Sequence, residues 1–281
     1  MRLRLVVSMC LATLVVAAAS ASAAAPPTVL LIGDSVATGM YWHDPAIAVM
    51  QKRLGVYWDV AICRTIEGTS CPFDGERAPT LLQVVAARGT VPPTVVVEIG
   101  YNDPEGSFAT EVDDAMKALT AAGATHVLWL TMRESRAPYP MLNAILEKAV
   151  SQWPQLTLVD WNGASLSHTS WFQTDDVHLT AEGGLAMARL THAAVMHVVD
   201  PLRVPAAPLR LQAARPNAMK LHALGGAPPY RWRVASGQPP HGFHLLANGT
   251  LTTTATHAHA TFTLAVTDAD GASVNLQVLQ R

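Results

Sequence analysis

The sequence predicts a three-layer α/β/α domain followed by a small all-β domain, and three observations carry that reading. Between Thr28 and about Asp200, short β-branched runs alternate with longer stretches of helical period, the pattern of a parallel sheet covered on both faces. After Asp200 helical periodicity stops, and the chain turns to Thr, Val, Gly and Pro with short alternating runs such as Thr261–Val266. With 281 residues, 50% of them apolar, there is material for one full-sized core and a smaller second one.

The elements follow in order. Met1–Arg4 is basic, Leu5–Ala19 is continuously apolar or small, and Ala21-Ser22-Ala23 fits a cleavage site, so residues 1–25 read as a secretory signal peptide. The rival, an uncleaved anchor, is disfavoured because the apolar run is shorter than the roughly 20 residues that span a bilayer. Met9 is too large to precede a lipidated Cys10. Strands are expected at Val29–Ile32, Val56–Ile62, Thr94–Ile99, His126–Thr131 and Leu156–Asp160, with helices at Asp44–Leu54, Arg77–Arg88, Phe108–Ala122, Tyr139–Trp153 and Ala181–Val199. The third helix sets Val112, Met116 and Leu119 on one face and Asp113, Asp114 and Lys117 on the other, and Gly123 stops it. Thr180 caps the fifth, where Glu182 suits the dipole. The α/β domain therefore covers 26–200. Pro201, Pro205 and Pro208 mark a linker over 201–208. Turn pairs Gly225-Gly226, Asn248-Gly249 and Asp270-Gly271 divide 209–281 into the strands of a β-sandwich.

Loss of Arg2 and Arg4 with the leader takes the formal charge from −2 to −4, and no basic stripe remains for nucleic acid. The mature protein is expected to be secreted or otherwise extracytoplasmic, in a periplasm or at the cell surface, with no stable membrane anchor. Of the three cysteines only Cys63 and Cys71 survive cleavage, and an oxidising compartment favours a disulfide between them over two buried thiols. No Cys/His spacing suggests a metal. His257 and His259 would share a strand face, but with no third ligand nearby they read as exposed strand histidines.

Three short segments carry the chemistry. Thr28–Ile32 runs into Gly33-Asp34-Ser35, which places a hydroxyl at the carboxyl edge of the sheet and makes Ser35 a candidate nucleophile. Thr94–Ile99 runs into Gly100-Tyr101-Asn102-Asp103, and Asp175-Asp176-Val177-His178 precedes the last helix. Acyl transfer by a serine needs a base, a group that orients the base and donors for the oxyanion. His178 would be the base, Asp175 its partner in preference to the adjacent Asp176, and Asn102 with the Ser35 N–H the oxyanion donors. Trp171 and Phe172 lie close in sequence to the acid-base pair; packing is favoured over stacking on a sugar. Glu98 either lines the site or marks a strand end.

These segments resemble the SGNH (GDSL-type) hydrolases: Gly33-Asp34-Ser35 matches the first block, Gly100-Tyr101-Asn102-Asp103 the third, and Asp175–His178 the fifth, in the family's order. The resemblance covers Thr28 to about Asp200. It implies a flavodoxin-like fold and ester hydrolysis by Ser35, Asp175 and His178, with no metal or other cofactor. The second block fits less well. In Cys63-Arg64-Thr65-Ile66-Glu67-Gly68, Gly68 matches its second glycine and Thr65 stands where the oxyanion glycine is expected. A threonine N–H still serves as donor, while its side chain narrows the acyl pocket, so short acyl groups such as acetyl are expected. The tail, with Gly226–Trp232, Gln238–Phe243, Asn248–Leu251 and Val266–Asp268, resembles the immunoglobulin-like modules appended to bacterial surface and secreted enzymes. The expected activity is hydrolysis of carbohydrate- or lipid-borne esters, on an acetylated polysaccharide or cell-wall glycan. The rivals are an acyltransferase to a glycan acceptor and a non-catalytic envelope-binding protein.

Overall fold

The computed structural model describes residues 25–205, 208–254 and 259–281. The leader expected over 1–25 lies outside them save for Ala25, and so does His257. The elements run β1 (Thr28–Gly33), α1 (Thr38–Tyr41), α2 (Asp44–Met50), β2 (Gly55–Val60), β3 (Pro72–Phe73), β4 (Glu76–Arg77), α3 (Leu81–Arg88), β5 (Thr94–Glu98), α4 (Glu105–Ala121), β6 (His126–Leu130), α5 (Tyr139–Val150), β7 (Leu156–Val159), α6 (Trp161–Ser165) and α7 (Ala181–Val199). Five of these strands form one parallel sheet in the order β2-β1-β5-β6-β7. Helices α1, α2 and α7 pack together, and α3, α4 and α5 form a second group. Right-handed crossovers put the two groups on opposite faces, which gives three layers.

Burial explains why β1 and β5 lack alternation. Val29–Ile32 and Val95–Val97 are completely buried, so both faces of each strand need apolar side chains. On α4, Val112, Met116 and Leu119 face the core while Lys117 pairs with Asp113 at 2.6 Å and Asp114 at 2.9 Å on the solvent side. The strand order reverses at β1. Connections leave it toward β2 on one side, and β5 lies on the other, so a crevice opens where Gly33 and Glu98 end the shared register.

Several boundaries differ from those expected, each for a local reason. The helix expected over Arg77–Arg88 starts at Leu81, because Thr80 and Gln83 form a reciprocal capping box. The residues before it turn at Asp74-Gly75, both at positive φ, into the β3–β4 hairpin. Likewise β2 stops at Val60, two residues early, as the chain curls toward Cys63 at φ 64°. The helix expected over Asp44–Leu54 ends at Met50, with Arg53 at φ 66°. Neither α6 nor a 3-10 turn at Thr169–Trp171 has a periodicity long enough to read.

Beyond α7 the chain forms β8 (Leu209–Leu211), β9 (Asn217–Lys220), β10 (Arg231–Gly237), β11 (Phe243–Leu245), β12 (Thr250–Thr253), β13 (Ala260–Thr267) and β14 (Ser273–Gln280). They make two sheets, β10-β13-β14-β8 and β11-β12-β9, antiparallel except where β8 joins β14. Alternate residues Phe262, Leu264 and Val266 of β13 and Leu276 and Val278 of β14 turn inward onto Trp232 and Leu251, a core separate from the first. Leu202 and Val204, in the stretch expected as linker, pack against this second core.

One close approach seats the two ends of the first domain on each other. A Cβ added at Gly184, in the first turn of α7, would stand 2.1 Å from the carbonyl oxygen of Gly39 in α1. Only hydrogen fits there. The Gly184→Ala variant is expected to lose about 1–3 kcal/mol of stability through the backbone shift it forces, read as a lower midpoint in thermal denaturation. A midpoint equal to wild type would show that α1 and α7 separate freely.

Candidate active site

The turn after β1 is built by Asp34. Its N–H donates to the Glu98 carbonyl at 2.9 Å and its Oδ1 accepts from the Val36 N–H at 2.8 Å, so the chain bends sharply around Ser35. The Thr38 hydroxyl then donates to the Ser35 carbonyl at 2.6 Å, which ties the turn into α1. Ser35 itself remains half-buried. Its N–H donates to no protein acceptor among the described residues.

His178 arrives from the other end of the domain. A short bridge of Phe172 to Leu179, a bond from the Gln173 N–H to the His178 carbonyl at 2.7 Å, and Asp176 at φ 58° fold the loop before α7 back on itself. Thr180 caps the helix at the Gly183 N–H, as the sequence indicated. Within this loop Asp175 Oδ1 accepts from the N–H groups of Val177 and His178, both at 2.9 Å, and Oδ2 lies 2.6 Å from His178 Nδ1. Because a carboxylate only accepts, Nδ1 carries the proton, and Nε2 is free to accept from the Ser35 hydroxyl 3.0 Å away. Burial opposes the Asp175 charge, but the hydrogen bonds from His178 and the two backbone N–H groups outweigh it and hold the carboxyl down at about 2. Asp176 is exposed and takes no hydrogen bond from His178, whose backbone N–H and Nδ1 both go to Asp175.

Asn102 stands on the turn after β5, exposed, with its Nδ2 donating to the Arg64 carbonyl at 3.2 Å and, in a long contact, to Asp34 Oδ2 at 3.4 Å. Arg64 escapes sequence reasoning, since a single basic residue in a loop gives no signal. Its guanidinium is only 2% exposed and donates to the carbonyls of Pro79 at 2.9 Å, Gly33 at 3.4 Å and Asp59, and to Asp59 Oδ1 at 2.8 Å. Arg64 thus joins the ends of β1 and β2 to the segment entering α3, while its carbonyl steadies the Asn102 amide. Thr65 beside it is buried, with its hydroxyl 3.4 Å from Ser70 Oγ and its N–H without a protein acceptor among the described residues. Gly68 is exposed at φ 75°, and no hydrogen bond links it to the other site residues. Cys63 and Cys71 are joined as a disulfide that closes this loop.

Glu98 does end its strand, and it also lies against the site. Asp34 and Glu98 are both buried, and burial pushes Asp34 up to about 6. Glu98 is driven well above the carboxylate range, first by burial and then by the Asp34 charge. Glu98 keeps the proton the pair shares, which accounts for an Oε2 that otherwise has no partner. A second buried carboxyl, Asp103, accepts from the Ile66 N–H at 2.7 Å and is pushed by burial up to about 8. Its Oδ2 and Glu111 Oε2 lack other partners, as two oxygens sharing one proton would.

Trp171 and Phe172 are committed to packing. Trp171 lies flat against His168 at 3.9 Å and near-parallel to Trp161 at 5.6 Å, while Phe172 is buried beneath the Arg133 guanidinium at 4.1 Å. Among the described residues no cluster of three or more His, Cys, Asp or Glu side chains could hold a metal ion, and no helix is long and apolar enough to cross a membrane.

The raised carboxyls set a pH dependence. Protonated Asp34 and Asp103 stabilise the folded state fully below their unfolded value of about 4, and that stabilisation is lost as pH rises through about 6 and about 8. Wild type is therefore expected to melt at lower temperature at pH 9 than at pH 5. Asp103→Asn, which keeps the acceptor for Ile66 and places an N–H toward Glu111 at every pH, is expected to show a smaller fall in calorimetry. Equal falls would refute a proton at Asp103.

No family model matches the chain. Among curated proteins it is similar to the O-acetyltransferase OatA of Staphylococcus aureus (strain NCTC 8325 / PS 47), 30% identical over 96 residues that make up 34% of this chain and 15% of that protein. The chain thus spans about a seventh of the length of that relative. Among solved structures it is similar to the C-terminal catalytic domain of Streptococcus pneumoniae peptidoglycan O-acetyltransferase A with a methylsulfonyl adduct, at 23% identity and a TM-score of 0.46 over 61% of this chain and 92% of that one. The inhibitor-bound aryl esterase of M. smegmatis gives 12% identity and a TM-score of 0.47, covering 62% of this chain and all of that one. A carbohydrate acetylesterase from Sinorhizobium meliloti gives 15% identity and a TM-score of 0.43, with 60% and 98% covered.

Proposed function

We propose that this chain is a serine esterase of the SGNH (GDSL-type) hydrolase family, exported from the cytoplasm, that removes short acyl groups, acetyl foremost, from a carbohydrate. The observation that carries the reading is the continuous relay from Asp175 through His178 to Ser35, two segments 143 residues apart meeting at 3.0 Å. A binding protein with a decayed site would have no reason to keep it.

In the proposed reaction His178 Nε2 takes the Ser35 proton as Oγ attacks the ester carbonyl. Asp175 holds the imidazole in the tautomer that can do this and stabilises the imidazolium that forms. The negative charge that develops on the carbonyl oxygen is met by Asn102 Nδ2 and the N–H groups of Ser35 and Thr65, with Gly68 shaping the loop that presents Thr65. The approaching oxyanion replaces the long Asn102–Asp34 contact, so a weak bond is exchanged for a charge-assisted one. Collapse of the intermediate returns the proton from His178 to the leaving sugar hydroxyl, and water repeats the sequence on the acyl-enzyme. The buried Thr65 side chain favours a narrow acyl pocket.

Similarity to OatA favours a second reading, in which a glycan hydroxyl rather than water accepts the acyl group. The chemistry up to the acyl-enzyme is identical, and products formed with and without an acceptor glycan separate the two. Residues 1–25 serve in either case as the export leader. Residues 26–200 form the catalytic domain, and 201–208 link it to an immunoglobulin-like sandwich at 209–281 that positions or tethers it.

Ser35→Ala is expected to lower hydrolysis of p-nitrophenyl acetate by about 10³-fold or more, His178→Ala by a similar factor, and the double variant by no more than either alone. Asn102→Ala is expected to cost about 10²–10³-fold in kcat. Rates of Ser35→Ala equal to wild type would return the chain to the class of binding proteins. Along a series from acetyl to octanoyl esters, turnover is expected to fall with chain length, and best turnover of octanoyl would refute the narrow pocket.

A further inference from the structure

The chain's aromatic side chains are placed very unevenly. Most are buried or half-buried, and only Tyr41, Trp42, Tyr57 and Phe73 are exposed, at 43%, 63%, 54% and 56%. Tyr57 shares a side of β2 with Asp59, which pairs with Arg88 of α3, so it leaves the sheet on the face away from α1. The other three converge. Tyr41 and Trp42, at the end of α1, and Phe73, in β3, line one hollow of about 350 Å³ together with Thr38, Glu76 and Arg77. That volume lies at the small end of the range typical of ligand sites.

We propose that this hollow is a glycan subsite in which Trp42, Tyr41 and Phe73 stack on a pyranose ring of the chain whose ester is presented to Ser35. The inference rests on the esterase reading for its substrate and on three features of the hollow for its ligand. First, the lining has two characters. A pyranose offers an apolar C–H face and a rim of hydroxyls, and the aromatic rings suit the face while the Glu76 carboxylate and Arg77 guanidinium suit the rim. An acyl chain would have no use for the two charged groups.

Second, the backbone that carries the aromatics is held in place rather than free. The Trp42 backbone N–H donates to the Thr38 carbonyl at 2.9 Å, and the Tyr41 ring packs 5.5 Å from Trp58. Phe73 sits on a hairpin whose base is closed by the Cys63–Cys71 disulfide and by Arg77 donating to the Ser70 carbonyl. A platform fixed before the ligand arrives loses little freedom on binding, which favours affinity for a weakly held sugar. Third, the hollow adjoins the nucleophile. Thr38 lines it and donates its hydroxyl to the Ser35 carbonyl, so a sugar in the hollow lies on the α1 side of the turn, while His178 reaches Ser35 from the loop before α7.

Two measurements on the full chain test the subsite. Calorimetric titration with unacetylated xylotetraose and chitotetraose requires no turnover. At least one is expected to bind wild type, to bind Trp42→Ala and Phe73→Ala at least tenfold more weakly, and to recover to within threefold in Trp42→Tyr. Because Trp42 is exposed, its replacement is not expected to disturb folding. In the second measurement, kcat/KM on O-acetylated tetrasaccharide divided by kcat/KM on p-nitrophenyl acetate is expected to drop at least tenfold in Trp42→Ala, through KM. Binding of neither glycan, binding unaffected by both alanine variants, or an unchanged ratio would overturn the subsite. So would a wild-type preference for octanoyl esters that Trp42→Ala abolishes, which would identify the hollow as an acyl groove. A wild type inert toward p-nitrophenyl acetate that still binds glycan through Trp42 would sink the esterase reading and leave the subsite standing.

Discussion

The backbone-to-backbone approach of Gly39 and Gly184 is the constraint on which the site geometry depends. Ser35 is tied to α1 through Thr38, and His178 is tied to α7 through the cap at Thr180. With both anchors short, the separation of the two helices fixes the separation of hydroxyl and imidazole. A hydrogen bond of 3.0 Å leaves little tolerance, and a contact that admits no side chain at all is a firm way to set it. The same logic explains why the sequence spends two consecutive glycines inside a helix, where each is otherwise unfavourable. Gly183 meets a similar barrier in the Trp171 carbonyl.

Beneath the site, ionisable groups are buried in combinations that limit the charge left uncompensated. Arg64 enters the interior against Asp59 and three carbonyls. Asp34 lies against Glu98, which burial drives well above the carboxylate range, and Asp103, pushed up to about 8, stays protonated beside Glu111 at neutral pH, so at that pH each pair holds at most a single negative charge. Such networks are a costly way to stabilise a fold compared with apolar packing. Here Asp34, Arg64 and Asp103 are the immediate chain neighbours of Ser35, Thr65 and Asn102, and they fix the turns on which those residues stand. The Asp103 carboxyl clamps the Ile66 N–H and so draws the Thr65 loop onto the turn that carries Asn102.

The relay and the aromatic hollow are built from different parts of the domain. The relay comes from the end of β1 and the loop before α7, and Asn102 stands beside it at the end of β5. The exposed aromatic hollow is built instead from α1 and the cross-linked hairpin between β2 and α3, the part of the domain whose local structure was hardest to foresee. A loop of this kind can change its surface without moving the proton relay.

The sequence by itself determined the layered architecture, because buried parallel strands and amphipathic helices leave unmistakable periods. It also singled out Ser35, Asn102, Asp175 and His178 as site candidates, because a strand that ends in Gly-Asp-Ser or Gly-x-Asn-Asp states its position relative to the sheet edge. Local rules sufficed for the Thr180 cap and for the bounds of α7. They failed where distant groups decide. The β3–β4 hairpin, the raised carboxyls of Asp34, Glu98 and Asp103, the anchoring of Asn102 by Arg64 and the packing of Trp171 against His168 and Trp161 all depend on partners brought together by folding. Spacing favours Asp175 over Asp176 and the structure agrees, because the contacts that orient His178 are themselves local. Burial and contact between remote residues leave no period in a chain, and for those only the folded structure could decide.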